Sequence, residues 1–266
     1  MKISNFIIVL LCFSFTWTSA YSDKKEASFA IVVDKDIMDN SEKAIRKYAS
    51  SVEADGLKTH IIIDIWNIPD SIRKVLHTLY KTDNLEGAVF IGDIPIPMIR
   101  NGQHLTTAFK MDQRRAWDRS SVPSDRFYDD FDLQFEYIQK DSVNSLYHYY
   151  NLTPNSAQYV HSDIYSARIK PPLYEDKTKY ELIDAYFDKV VREKQVARKI
   201  SNVTYFAGHG YNSNSMVARA DERLALTDQF VNLSNGKGRL NYIDHTRDNA
   251  VKYRLMADKK VDTIII

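Results

Sequence analysis

Leu85-Glu86-Gly87-Ala88-Val89-Phe90-Ile91-Gly92-Asp93-Ile94-Pro95-Ile96-Pro97 decides how this chain is read. Gly87 to Ile91 is a short apolar run with the composition of a strand buried on both faces. Gly92-Asp93 closes it, and the two prolines predict the end of any regular element, because proline fixes φ and lacks an amide N–H. Upstream, Pro69 suits a first helical turn, and Ile72, Val75, Leu76, Leu79 and Tyr80 fall on one helix face. Leu57 to Ile63 predicts a strand ending at Asp64. Before it, Ala44, Ile45, Tyr48, Ala49 and Val52 predict a helix from about Ser41 to Asp55, with Asp39 and Glu42 as a capping box and Gly56 as its stop. Phe29 to Val33 is a first strand, closed by Asp34.

Ser28 to Arg100 therefore predicts βαβαβ and a parallel sheet covered on its faces. Ligands of such sheets collect at the carboxyl ends of the strands, which here are Asp34, Asp64 and Gly92-Asp93. Carboxylates there either bind a cation or substrate, or simply end strands and cap turns.

Asn101 to Pro172 is rich in Tyr, Phe, Asp and Arg. Phe131, Leu133, Phe135 and Tyr137 alternate with Asp132, Gln134 and Glu136, the period of a half-buried strand, so the segment predicts a hairpin-rich insertion. Ile164 to Ile169 is a further strand, and a long helix from about Lys177 to Arg198 is expected to bridge two halves. The alternation then restarts: strands at Val203 to Ala207, Leu240 to Ile243 and from Val261, with helices at about 220–231 and 247–258 between them. The fold class expected is α/β: two consecutive βαβαβ parallel-sheet subdomains, 28–100 and 173–266, with a β-rich insertion, 101–172, between them. The run Val261-Asp262-Thr263-Ile264-Ile265-Ile266 has no turn, cap or polar tail after it, which predicts that the second subdomain is incomplete in this sequence.

Residues 1–20 have the pattern of a cleaved secretory signal: Lys2, an apolar run from Phe6 to Phe15, and Thr18-Ser19-Ala20 as the cleavage site. An exported protein, secreted or of the cell envelope, is expected. Nothing later approaches the ~20 apolar residues of a membrane span. The one cysteine, Cys12, lies in the signal, after Leu10 and Leu11, which are too large for a lipoprotein cleavage box. The part after the signal therefore has neither disulfide nor thiol. A formal charge of +1, from 36 basic and 35 acidic residues, gives no electrostatic footprint for nucleic acid.

Leu85 to Pro95, with Ser124-Asp125-Arg126-Phe127-Tyr128 and Tyr165-Ser166-Ala167-Arg168-Ile169 before a long helix, is similar to the secreted caspase-fold cysteine peptidases of the gingipain family. That family has a strand ending in Gly-Asp and a proline turn, a Ser-Asp-x-Tyr-Tyr segment and a Gly-Arg strand, where this chain has Ala167 for the glycine. The likeness runs from about Phe29 to Ile266. It implies hydrolysis of a polypeptide substrate by a His/Cys dyad, with backbone amides holding the oxyanion. No cysteine after the signal can be the nucleophile. In the family the catalytic histidine follows the third strand of the second subdomain and the cysteine the fourth.

Gly208-His209-Gly210 resembles the family's His-Gly, but it follows the first strand of that subdomain. His209 is thus either the dyad base or a loop residue beside the pocket. Asp125, Asp129, Asp130 and Asp132 form an acidic cluster that either holds a structural calcium ion, as the resemblance implies, or is a plain charged surface. Two readings of function remain: a gingipain-like cysteine endopeptidase represented without its nucleophile, and a non-catalytic binding protein with a protein partner on the same scaffold. A different hydrolase lacks its marks, since there is no Gly-x-Ser-x-Gly elbow, His-Glu-x-x-His pair or phosphate-binding glycine loop.

Overall fold

The computed structural model describes residues 26–102, 112–157, 161–172 and 176–196, and the backbone of strands at 202–206, 239–243 and 263–265. The chain divides into two compact units, Met1–Glu193 and Lys194–Ile266. No helix among the described residues is long and apolar enough to cross a membrane.

The first unit opens with β1 (Ser28–Asp34), α1 (Lys35–Glu53), β2 (Lys58–Asp64), α2 (Pro69–Asp83) and β3 (Leu85–Ile91), the expected βαβαβ. β1 pairs in parallel with β2 and β3, and β3 pairs in parallel with β8 (Tyr165–Ile169), giving the order β2-β1-β3-β8. β1 is buried along its whole length because alternate side chains enter two different cores. Phe29, Ile31 and Val33 pack with Ile37, Ile45 and Val52 of α1 and with Ile183 and Phe187 of α5 (Lys179–Gln195). Ala30 and Val32 face the other way, toward Ile72 and Leu76 of α2 and the aromatic side chains of the insertion. The long helix expected as a bridge thus covers the α1 face of the first sheet, and β8 completes that sheet from beyond the insertion.

The inserted sheet is mixed, with order β5-β4-β7-β6. Its strands are β4 (Ile96–Arg100), β5 (Val122–Pro123), β6 (Phe135–Lys140) and β7 (Tyr147–Leu152), with short helices α3 (Trp117–Ser120) and α4 (Arg126–Asp129) on either side of β5. β4 runs parallel to β7, while β5 and β6 are antiparallel to their neighbours. In the second unit β9 (Asn202–Phe206), β10 (Arg239–Ile243) and β11 (Thr263–Ile265) form a parallel sheet of order β10-β9-β11. The helices expected at 220–231 and 247–258 lie outside the described residues.

Four local expectations are corrected. α1 starts at Lys35, with Asp34 as its N-cap, and Ser41 (φ −129°, ψ 24°) marks a kink inside it. Asp39 forms no capping box; its carboxylate takes Lys35, and Glu42 takes Arg46. β3 ends at Ile91 and Pro95 lies outside any strand, as expected, but Pro97 does not, for β4 begins at Ile96 and contains it. Ile96 donates its N–H to Leu146 on the β7 side. Alternate residues of a strand face opposite neighbours, so Pro97 faces β5, a strand of two residues, where its carbonyl accepts from Ser124 (3.0 Å) and its missing N–H has little to pair with.

Finally, the strand of the alternating run starts only at Phe135. The backbone before it is gathered by Arg73 of α2, which donates to the carbonyls of Phe127 (2.9 Å), Asp130 (3.1 Å), Phe131 (3.1 Å) and Leu133 (2.8 Å). Its guanidinium also lies 5.2 Å from the ring centres of Phe127 and Phe135. Carbonyls turned to one cation cannot serve a ladder.

Candidate functional site

Strand order in the first sheet reverses between β1 and β3: the chain steps from β1 out to β2, then returns past β1 to β3 and β8. The carboxyl ends of β1 and β3 therefore flank a crevice of the kind in which open α/β sheets bind ligands. Asp34 ends β1 there. Its Oδ1 accepts the Ile37 N–H (2.9 Å) as the cap of α1, and its Oδ2 accepts the Asp93 N–H (2.6 Å). The floor of the crevice is thus stitched across both strands by one buried carboxylate. Gly92 permits this, having φ +89° and lying where a Cβ would be 1.7 Å from Asp34 Oδ2.

Around that floor lies a cleft of about 740 Å³, lined by residues that include Asp36, Asp39, Trp66, Asp93, Asn144 and Lys170. Trp66 is held by its indole N–H on the Val33 carbonyl (2.9 Å). Asn144 comes from the turn between β6 and β7, where Asp141 Oδ1 accepts the N–H of Val143 (2.8 Å) and Asn144 (2.7 Å). The inserted sheet therefore supplies one wall of a cleft whose floor belongs to the first sheet. An adjoining cavity of about 450 Å³ shares Asp34, Asp93 and Lys170 and adds Pro171 and Lys179.

Charges in the cleft are matched within it. Lys170 pairs with Asp93 (2.9 Å), Lys35 with Asp39 (2.8 Å) and Lys179 with Asp36. Lys179 and the hydroxyl of Tyr180 hold the Asp36 carboxyl below its ordinary value, and Asp36 in turn raises Lys179. Among the described residues, neither histidine nor cysteine lines either cavity, and the polar groups the cleft offers a ligand are carboxylates, lysines, Asn144 and Ser145.

Of the strand ends expected to matter, Asp34 and Asp93 come together, while Asp64 is exposed and accepts the N–H of its neighbour Ile65 (2.7 Å). Lys170 follows the strand end at Ile169 and was within reach of the same strand-end rule. Trp66, Lys179 and Asn144 carry no local signal, because only tertiary packing brings them to the crevice.

The acidic cluster disperses. Asp125 makes a two-point pair with Arg168 (2.7 and 3.2 Å), which also donates to the carbonyls of Ile94 (2.8 Å) and Pro95 (3.1 Å). Asp129 is buried against Arg126 (2.6 Å) and the Ser166 hydroxyl (2.5 Å). Asp130 accepts the His161 N–H (2.9 Å), and Asp132 is exposed. Among the described residues no group of three or more carboxylate, histidine or cysteine side chains is placed to hold a metal ion, so the calcium reading gains no ligand set. His209 lies outside the described residues.

Burial pushes the Asp129 carboxyl up to about 6, with Ser166 and Arg126 opposing the rise. A carboxyl whose folded value exceeds its unfolded one binds its proton more tightly in the fold. Its contribution to stability is therefore largest below the unfolded value near 4 and declines as pH rises through about 6. Asp129→Asn is expected to remove this slope, on the order of 3 kcal/mol between pH 4 and 7, in urea unfolding followed against pH. An unchanged slope in the variant would assign it to other groups.

Comparison with protein-family models, with curated proteins and with solved structures finds no match.

Proposed function

We propose that this chain is an exported α/β scaffold of the gingipain-like cysteine endopeptidase type, with a cleaved signal at 1–20, a first subdomain, an inserted β-rich segment and the opening strands of a second, caspase-like subdomain. One observation carries the reading: a parallel sheet begun in the order second-first-third strand occurs twice, as β2-β1-β3 and again as β10-β9-β11. That repetition supports two subdomains of one topology, as the gingipain resemblance implies. In such a peptidase the dyad histidine follows the third strand of the second subdomain and the cysteine the fourth; the third strand here is β11. Hydrolysis of a polypeptide would then depend on residues after β11, with His209, after β9, as a neighbouring loop residue.

The second reading, a binding protein on the same scaffold, rests on the walled cleft of the first unit and on the absence of any cysteine between Tyr21 and Ile266. Casein digestion separates the two. Residues 21–266 alone are expected to cleave nothing, while the product of the whole reading frame cleaves casein and loses that activity to iodoacetamide. A whole product that lacks a cysteine after its next strand, or is inert as purified and after removal of any leader segment, overturns the peptidase reading in favour of binding. Cleavage by residues 21–266 that survives alkylation points to another hydrolase.

A further inference from the structure

His148 lies in the middle of the inserted sheet, on β7, between Pro97 of β4 and Lys140 of β6 in the strand register. It is 2% exposed, and among the described residues neither of its ring nitrogens meets a hydrogen-bond partner. Side chains two apart on a strand share a face, so His148 lies on the face of Tyr150. That face meets α2: the Tyr150 hydroxyl donates to Asp70 (2.6 Å), and Tyr150 shares a core with Ile72 and Leu76. The Tyr137 ring packs against both His148 (6.3 Å) and Tyr150 (5.3 Å).

We propose that His148 makes the seam between the inserted sheet and α2 acid-sensitive, so that uptake of a proton by its ring drives β6 and β7 away from α2. An imidazolium there would be a buried cation with two donors and no acceptor, beside the Tyr137 ring. The charged groups acting on it are Lys140 on β6, which repels it, and Asp70 on α2, which attracts it but already accepts the Tyr150 hydroxyl. β4 contributes Pro97, which carries no charge.

Burial first, and Lys140 second, hold the imidazole below its ordinary value. A base depressed in the fold binds its proton more tightly once the seam is open. The seam is therefore fully stable above the open-state value near 6.5 and loosens as pH falls below it. Asp129 acts with the opposite sign over part of this range, so comparison with a variant, not the raw pH profile, isolates His148. The loosened surface would be one wall of the cleft, since the turn carrying Asn144 joins β6 to β7. Acid would then open the crevice as well as the seam.

The test uses the chain after its signal, followed by nuclear magnetic resonance from pH 7.5 to 4.5. The C2–H signal assigned through its loss in His148→Phe is expected to leave its neutral position only at a pH below that of an ordinary imidazole. Amide exchange in β6 and β7, corrected for its intrinsic pH dependence, should then accelerate by up to tenfold per pH unit relative to β1 and β2. Neither Phe nor Gln takes up a proton in this range, so His148→Phe and His148→Gln should each abolish that difference. Titration of His148 near 6.5 without loosening, an equal acid response in His148→Phe, or simultaneous loss of protection in β1 and β6 would each overturn the proposal. If His148→Phe does not fold at pH 7.5, His148→Gln provides the assignment and the comparison.

Discussion

Arg73→Met is expected to cost ~3 kcal/mol or more in urea unfolding, among the largest effects of any substitution in the first unit. The guanidinium is part-buried and holds four backbone carbonyls from one short stretch, those of Phe127, Asp130, Phe131 and Leu133. Methionine fills much of the same volume, but it leaves those oxygens without their donor, and an unsatisfied buried acceptor costs about 1–3 kcal/mol. Lysine in its place is expected to recover little. An ammonium has three donors on a single nitrogen, whereas these carbonyls are served by two separate nitrogens of a planar fork that lies 5.2 Å from the ring centres of both Phe127 and Phe135. A loss below ~1 kcal/mol in Arg73→Met would mean that water replaces the guanidinium and that the clamp is not what orders the segment before β6.

Gly92→Ala should cost ~3 kcal/mol through two separable causes. A left-handed φ of +89° strains any residue with a Cβ, and that Cβ would overlap Asp34 Oδ2 at 1.7 Å and crowd Ile37 Cγ1 at 2.7 Å. The carboxylate must then leave either the Asp93 N–H or the first turn of α1. Urea unfolding of Gly92→Ala, Asp34→Ala and the double variant separates the causes. The double variant should cost less than the sum, since removing the carboxylate relieves the overlap and leaves only backbone strain. Strict additivity would show that the two residues do not meet at the crevice floor.

How far the fold was legible follows from where its information sits. Phe29 to Val33 and Gly87 to Ile91 declare themselves because both faces of those strands are buried, which leaves a continuous apolar run. The first turns of α1 were missed because Asp36, Asp39 and Asn40 face solvent, and their cap, Asp34, doubles as a strand end. Phe131 and Leu133 mimic a strand, since both send side chains into the same core as Phe135 while their carbonyls go to Arg73. Period 2 records where side chains go, not which partner the backbone has. β4 was hidden by Pro97, whose cost depends on a neighbouring strand too short to need its N–H. Of the candidate site, the strand ends Asp34 and Asp93 were readable as positions. That Asp34 spends its carboxylate on two N–H groups, and that the acidic cluster disperses onto Arg126, Arg168 and the His161 amide, depends on contacts far apart in sequence.

The place of β8 sets an order of events during synthesis. β3 waits for its outer neighbour until Ile169 has left the ribosome, with the whole of β4 to β7 translated in between. Closing so long a loop before its pairing contacts repay it slows folding. Until then the β3 margin is an open template for strands of other chains. A nascent protein stalled before Tyr165 should therefore be far more prone to clump or to engage chaperones than one released just past Ile169.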